Sequence, residues 1–273
     1  GGDENFAGYP RYGANALSAR IGRLPRPLTG VATRALDRLE ERSGDDGWPR
    51  QYAPIVRTAR LADWERYPLW FSFFTEREKE ALYTPELWSR LSQRTAPAVI
   101  REPYTASDGR TVTERLLDVD TQTYLPDDLL VKVDIATMAH SLEARSPLLD
   151  HGFMEMAASL PSKGKLSRGV TKRLFKDALR PWLPEEIIDR RKMGFSVPIA
   201  EWFRGELREL PREVLLDGRA TGRGLFRTRE VERMIEVHRQ DAGSDYSNHL
   251  WALVQLEMWF RTYIDPAVPR PPA

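Results

Sequence analysis

The sequence predicts a mainly α-helical protein. Apolar residues recur at spacings of three and four, strict alternation is scarce, and proline, glycine and capping residues punctuate the periodic stretches. In order, the first 55 residues are rich in Gly, Pro and Arg and read as ligand loops and connectors around one helical pattern, VATRALDRLEER, with Val31, Leu36 and Leu39. In FFTEREKEALY, Thr75 and Glu78 stand at capping-box spacing, and TPELWSRL puts a proline at the first position of the next helix. From TVTERLLDVDTQTYLPDDLLVKVDIATMAHSLEARSPLLDH onward, Leu129, Val133 and Ala136 form one stripe, and Leu130, Asp134 and Met138 another. Further helices are expected at DHGFMEMAASL, VTKRLFKDALRPWL, PEEIIDRR, IAEWFRGELREL, TREVERMIEVHRQ and SNHLWALVQLEMWFRTYI. In the last of these, Trp251, Met258, Trp259 and Tyr263 share a helical face and are expected in the core. Residues 265–273, DPAVPRPPA, are expected as an extended, proline-rich disordered tail after a unit spanning 1–264.

The chain has 273 residues, enough for a substantial core, and 41 Lys and Arg against 40 Asp and Glu leave a formal charge of +1. No global basic field points to nucleic acid or an anionic membrane, and no apolar run is long enough to cross a bilayer. Without cysteine, disulfides, thiolate metal sites and cysteine nucleophiles are excluded within these residues, and a cytoplasmic setting fits. No repeat of fixed period occurs. GRATGRGLF lacks the Lys-Ser/Thr ending and preceding strand of a phosphate loop and reads as a surface turn. The four histidines lack HExxH spacing, and His140 is expected to pack beside a helix end.

Three stretches carry candidate chemistry. GGDENFAGYPRY opens the chain on two glycines and two carboxylates, a combination usual within a domain, so the chain is expected to be part of something longer. Asp3 could meet a Mg²⁺ that bridges phosphate oxygens; the alternative is a helix start, with Asp3 as cap and Glu4 in the first turn. SLEARSPLLDH places Glu143 and Arg145 just before a proline, where a helix gives way to a loop, either as a substrate-binding pair or as a structural salt bridge. RRKMGFSVP gathers Arg190, Arg191 and Lys192 before a glycine and an aromatic: a solvated run, or a loop folded over an anionic ligand.

Taken in order, these stretches resemble the synthetase domain of the glutamine-dependent asparagine synthetase family. GGDENFAGYPRY looks like the end of its glycine-rich acidic segment, YLPDDLLVKVDIATMAHSLEARSPLLDH is similar to its long helical signature, RRKMGFSVPIAEWFRGEL resembles its lysine loop and HLWALVQLEMWF its closing helix. The resemblance covers Gly1 to Tyr263. It implies the helical C-terminal portion of an α/β ATP-pyrophosphatase-type domain, with most of the parallel sheet, the pyrophosphate loop and an N-terminal glutaminase domain lying before Gly1. It implies ATP and Mg²⁺ as cofactors, and aspartate and glutamine-derived ammonia as substrates, joined through an acyl-adenylate. A homodimeric parent is compatible with it.

By the same resemblance, Asp3 is a Mg²⁺ ligand, Glu4 its neighbour in the motif, Lys192 the cation on phosphate and developing oxyanion with Arg191 beside it, and Glu143 with Arg145 shape the substrate side. Asn5 replaces a residue that is usually apolar. Two alternatives stay open: an amidotransferase or amide-closing cyclase of the same family, as in β-lactam synthetases, and a non-catalytic helical interaction module. The fragment alone is expected to be inactive, because its backbone cradle for pyrophosphate is absent.

Overall fold

A computed structural model describes residues 1–42, 48–167, 169–190, 197–241 and 243–265. Its elements are helices throughout; the β-pairings among the described residues are two isolated bridges, Tyr83 with Phe226 and Ser167 with Val170. The chain divides into two compact units, residues 1–70 with 96–192 and residues 71–95 with 193–273. Among the described residues no helix is long and apolar enough to cross a membrane.

In the first unit, helix Pro10–Ile21 starts with proline at its first position and lies against helix Val112–Gln122. Their facing sides bury Tyr12, Leu116 and Val119, and Tyr67 joins them. The second helix is opened by a capping box in which Thr111 Oγ1 accepts from Glu114 N and Glu114 Oε2 accepts from Thr111 N at 3.1 Å. Buried at the centre is a polar knot: the Asp120 Oδ2 oxygen accepts from Tyr12 at 2.5 Å, Tyr67 at 2.6 Å and Arg11 at 2.7 Å. Burial above all, helped by the Asp120 carboxylate and, for Tyr12, by the neighbouring Tyr67, pushes both phenols well above their ordinary range, so they remain donors. The stretch Leu125–Leu130 is wound in a wider turn and runs on into helix Val131–Met138, whose Val131, Ile135 and Met138 are exposed. His140, expected to pack beside a helix end, is exposed instead, because the helix it follows presents no buried face.

In the second unit the expected capping box forms: Glu78 Oε2 accepts from Thr75 N at 2.7 Å, and Thr75 Oγ1 accepts from Glu78 N. Pro85 opens helix Pro85–Leu91 behind the cap Thr84. Helices Thr228–Gln240 and Ser247–Trp259 enclose a core of Phe203, Val231, Met234, Leu250, Leu253 and Val254.

The closing helix corrects the expected stripe. It buries Leu250, Leu253, Val254 and Glu257, leaving Met258, Trp259 and Tyr263 exposed, the last at 72%, with Trp251 alone of the four packed against the core. This helix is apolar nearly all round, so its periodicity does not choose a face. The choice is made by Glu257, a buried carboxylate that two guanidiniums require at the interior: it accepts from Arg223 at 2.6 and 3.0 Å and from Arg261 at 2.8 Å. Asp265, the first residue of the expected tail, is held by Arg223, and the remainder of that tail lies outside the described residues. The stretch expected as a surface turn contains a short helix, Gly218–Gly222, started by Asp217, whose carboxylate accepts from Ala220 N.

Candidate active site

The acidic opening folds into helix Gly2–Phe6, with Asp3 and Glu4 in its first turn. The helix-start reading of this stretch holds with a correction: Gly1 is the cap and no side chain caps the helix, so Asp3 lies in the first turn and is not used up as a cap. The helix stops at Ala7, whose φ of 55° is left-handed, and Gly8 N then donates back to Asp3 O at 2.8 Å. That reversal lays Gly8 against Asp3. A Cβ at Gly8 would fall 1.8 Å from Asp3 Oδ1, so only glycine leaves the carboxylate its place.

Asp3 and Glu4 point to different environments. Glu4 is 1% exposed, accepts from Tyr9 Oη at 2.6 Å through Oε1, and has the Gly1 nitrogen 3.0 Å from Oε2. Burial and then the hydrogen bond to Glu4 raise the Tyr9 phenol far above its ordinary range, keeping it a donor. Asp3 is 25% exposed and meets Lys172, whose Nζ is 3.1 Å from Asp3 Oδ1.

Two further contacts fix this turn. Asn5 Nδ2 donates to Leu148 O at 2.7 Å, which explains an amide where an apolar residue is usual, and Leu148 and Leu149 crowd Gly2 and Gly1 so closely that a Cβ at Gly1 would fall 2.4 Å from Leu149 Cδ2. Phe6 packs between Phe175, stacked at 4.8 Å, and Phe153, edge-on at 5.9 Å, while its carbonyl accepts from Lys172 N at 3.1 Å. Lys172 adopts a left-handed φ of 54° just before helix Arg173–Leu179, and the hydrogen bond to Phe6 holds it there.

Lys172 is the residue that sequence reasoning missed. VTKRLF reads as one more basic helix start, and neither charge spacing nor composition separates it from its neighbours. Only the backbone pairing of Lys172 with Phe6, 166 positions away, brings it to the acidic turn.

The other candidates are placed less centrally. Glu143 and Arg145 are exposed, at 67% and 86%, and pair with each other, the salt bridge that the sequence left open as an alternative. They precede Ser146–Leu149, the segment fastened to the opening turn through Leu148, so the chain path carries them toward that end of the unit. Arg190 is exposed; Arg191 and Lys192 lie outside the described residues.

A helical chain with an acidic, glycine-bounded front turn held by a distant lysine belongs to a class defined by comparison. The chain belongs to the asparagine synthase family, whose model matches residues 1–261. It is 33% identical over 273 residues to a Mycobacterium tuberculosis protein named "Putative asparagine synthetase (glutamine-hydrolyzing)", covering 98% of this chain and 39% of that protein. A Bacillus subtilis asparagine synthetase (glutamine-hydrolyzing) 1 is 28% identical over 269 residues, covering 97% of this chain and 40% of the relative. A Brassica oleracea asparagine synthetase (glutamine-hydrolyzing) is 37% identical over 84 residues, 28% of this chain and 14% of the relative. The chain thus spans about two fifths of the length of the relatives it matches throughout. No solved structure matches it with significance.

Proposed function

We propose that the chain forms part of the synthetase domain of an enzyme that uses ATP to activate the side-chain carboxylate of aspartate as an acyl-adenylate and passes it to ammonia drawn from glutamine, giving asparagine, AMP and pyrophosphate. The observation that carries this reading is the Asp3–Lys172 pair: a carboxylate and an ammonium, each partly exposed and each fixed by backbone it did not choose, at the front turn of a chain of this family.

The residues present fit a magnesium ion with ligand-borne oxygens. Mg²⁺ is commonly held by one or two carboxylates together with phosphate oxygens and water. Asp3, which faces Lys172, is 25% exposed, whereas Glu4 is committed to Tyr9 and sealed from solvent. Among the described residues no group of three or more His, Cys, Asp or Glu is arranged to hold a metal, so the remaining oxygens would come from phosphate and water. Bound there, the ion would neutralise charge on the phosphates.

Lys172 orients Asp3 and supplies positive charge beside the polyphosphate as pyrophosphate departs. Glu4 and Tyr9 brace the turn from beneath. Lys192 and Arg191 would add cations to the same phosphates, and Glu143 with Arg145 would bind the amino-acid end of the substrate. The upstream part of the protein would supply the pyrophosphate loop and the glutaminase. The test is product analysis with the full-length protein given ATP, Mg²⁺, aspartate and glutamine: AMP and pyrophosphate are expected, and ADP with phosphate would overturn the adenylation chemistry.

A further inference from the structure

Beside the acidic turn lies an open groove of about 1110 Å³ in the first unit, walled by helix Pro10–Ile21, by the start of helix Val112–Gln122 and by the segment around Ser162. Among the described residues six cations line it, Arg11, Arg20, Arg23, Arg110, Arg115 and Lys163, and no Asp or Glu does. Arg11 is neutralised by Asp120 at 2.7 Å. Arg115 spends its donors on the carbonyls of Gly109 and Tyr104, and among the described residues no carboxylate pairs with it. Arg20, Arg23, Arg110 and Lys163 are exposed at the rim, likewise without a carboxylate partner among the described residues. Glu114 lies behind the wall, its carboxylate accepting from the backbone N–H groups of Arg110, Thr111 and Ser162. Five cations without a carboxylate ion pair among the described residues outnumber it, so in a chain with 40 acidic residues against 41 basic ones the trough carries a local excess of positive charge.

The floor is different in kind. Gly13, Ala16 and Ala19 leave helix Pro10–Ile21 thin on this side, with Leu17 at 41% exposure, and Tyr52 and Trp70 add aromatic surface. A small apolar floor under a cationic rim suits an elongated, amphipathic anion. The trough is open along its length rather than closed around a ligand, which suits an extended chain lying in it more than a small molecule that a site must surround. Guanidiniums in this number match carboxylates through paired N–H donors.

We propose that this groove binds an acidic peptide segment of a partner, carboxylates at the Arg20, Arg23, Arg110 and Lys163 rim and apolar side chains on the Ala16–Leu17 floor. The inference goes beyond the synthetase reading and uses none of its chemistry. Tyr9 lines one end of the groove and donates to Glu4, so a bound peptide would end one hydrogen bond from the acidic turn.

The experiment is calorimetric titration of the full-length protein, without ATP, with a twelve-residue peptide of glutamates interspersed with leucines, against the same peptide carrying glutamines. The glutamate peptide is expected to bind, more weakly by severalfold at 200 mM than at 50 mM salt, and the glutamine peptide to bind at least tenfold more weakly. Arg20→Glu with Arg110→Glu should lower affinity at least tenfold while the melting temperature stays that of wild type; Arg23→Glu with Lys163→Glu serves if the first pair misfolds. Arg229→Glu, an exposed cation of the second unit, should leave affinity unchanged. Equal affinity for both peptides, equal affinity in the reversed-charge variants, or binding of inorganic triphosphate without binding of the peptide would overturn the inference. Because no nucleotide is present, none of these results bears on adenylation, which product analysis decides separately.

Discussion

Lys172 Nζ stands 3.1 Å from Asp3 Oδ1, although 169 positions separate the two in the chain. The contact is held at both ends by backbone: Lys172 N donates to Phe6 O, and Asp3 lies against Gly8. A mobile surface pair contributes little, but a pair pre-set by the main chain is positioned before any ligand arrives.

If Lys172 contributes charge during phosphate release, Lys172→Ala in the full-length protein should lower kcat by about a hundredfold, the usual result of losing one fixed charge-stabilising donor. Lys172→Arg should recover part of it. A loss confined to thermal stability, with kcat intact, would leave Lys172 a structural anchor only.

Gly8→Ala tests the packing that positions Asp3. The added methyl would meet Asp3 Oδ1 at 1.8 Å and Asp3 Cα at 2.9 Å, so the turn must open. Urea denaturation should show a loss of about 1–3 kcal/mol, the usual range for overpacking. Magnesium-dependent activity should fall with it.

The knot at Asp120 predicts a large single-site effect. Its Oδ2 gathers Tyr12, Tyr67 and Arg11, so Asp120→Ala strands two buried phenols and a guanidinium. Removing one partner of a buried charge pair costs about 3–5 kcal/mol. Denaturant midpoints for D120A against wild type measure this directly, and Tyr12→Phe should cost far less because it removes one donor of three.

In the second unit, stability should fall with acidification in two stages. Burial, and then the neighbouring Arg204, depress the His238 pKa below its ordinary value; its ring is 1% exposed and its Nδ1 accepts from Tyr246 N at 3.3 Å. A depressed folded-state value means the unfolded chain takes up the proton first. The neutral-ring contribution is therefore complete above about pH 6.5 and is lost as pH falls through the lower folded value. Glu257 follows lower down: burial would raise its pKa, but the hydrogen bonds from Arg223 and Arg261 outweigh burial and lower it, so its share is present above about pH 4.3 and lost below. Melting temperatures from pH 8 to 3 should decline in both windows, and His238→Phe should remove the upper one.

Much of the local structure was legible in the sequence because its causes are local. The Thr75–Glu78 box, Pro85 behind Thr84 and the helix at 228–240 follow from capping chemistry and from an apolar stripe with one charged flank. The acidic front turn was legible for the same reason, as two carboxylates beside glycines announce a turn that must stay close to something.

What the sequence left open was which face and which partner. The closing helix is apolar nearly all round, and a buried Glu257 with two arginines, not the Trp259–Tyr263 stripe, decides what turns inward. Asn5, an unexpected amide by pattern, became intelligible once Leu148 O was found opposite it. Periodicity, caps and charge thus determined by themselves that this is a helical chain with an acidic opening. Only the tertiary structure decided that Lys172 meets Asp3, that Glu4 is sealed under Tyr9 and that five cations share one trough. The first and the last join residues far apart in the chain, and the Glu4–Tyr9 contact, though local, depends on a left-handed reversal at Ala7 and on burial that no local pattern encodes.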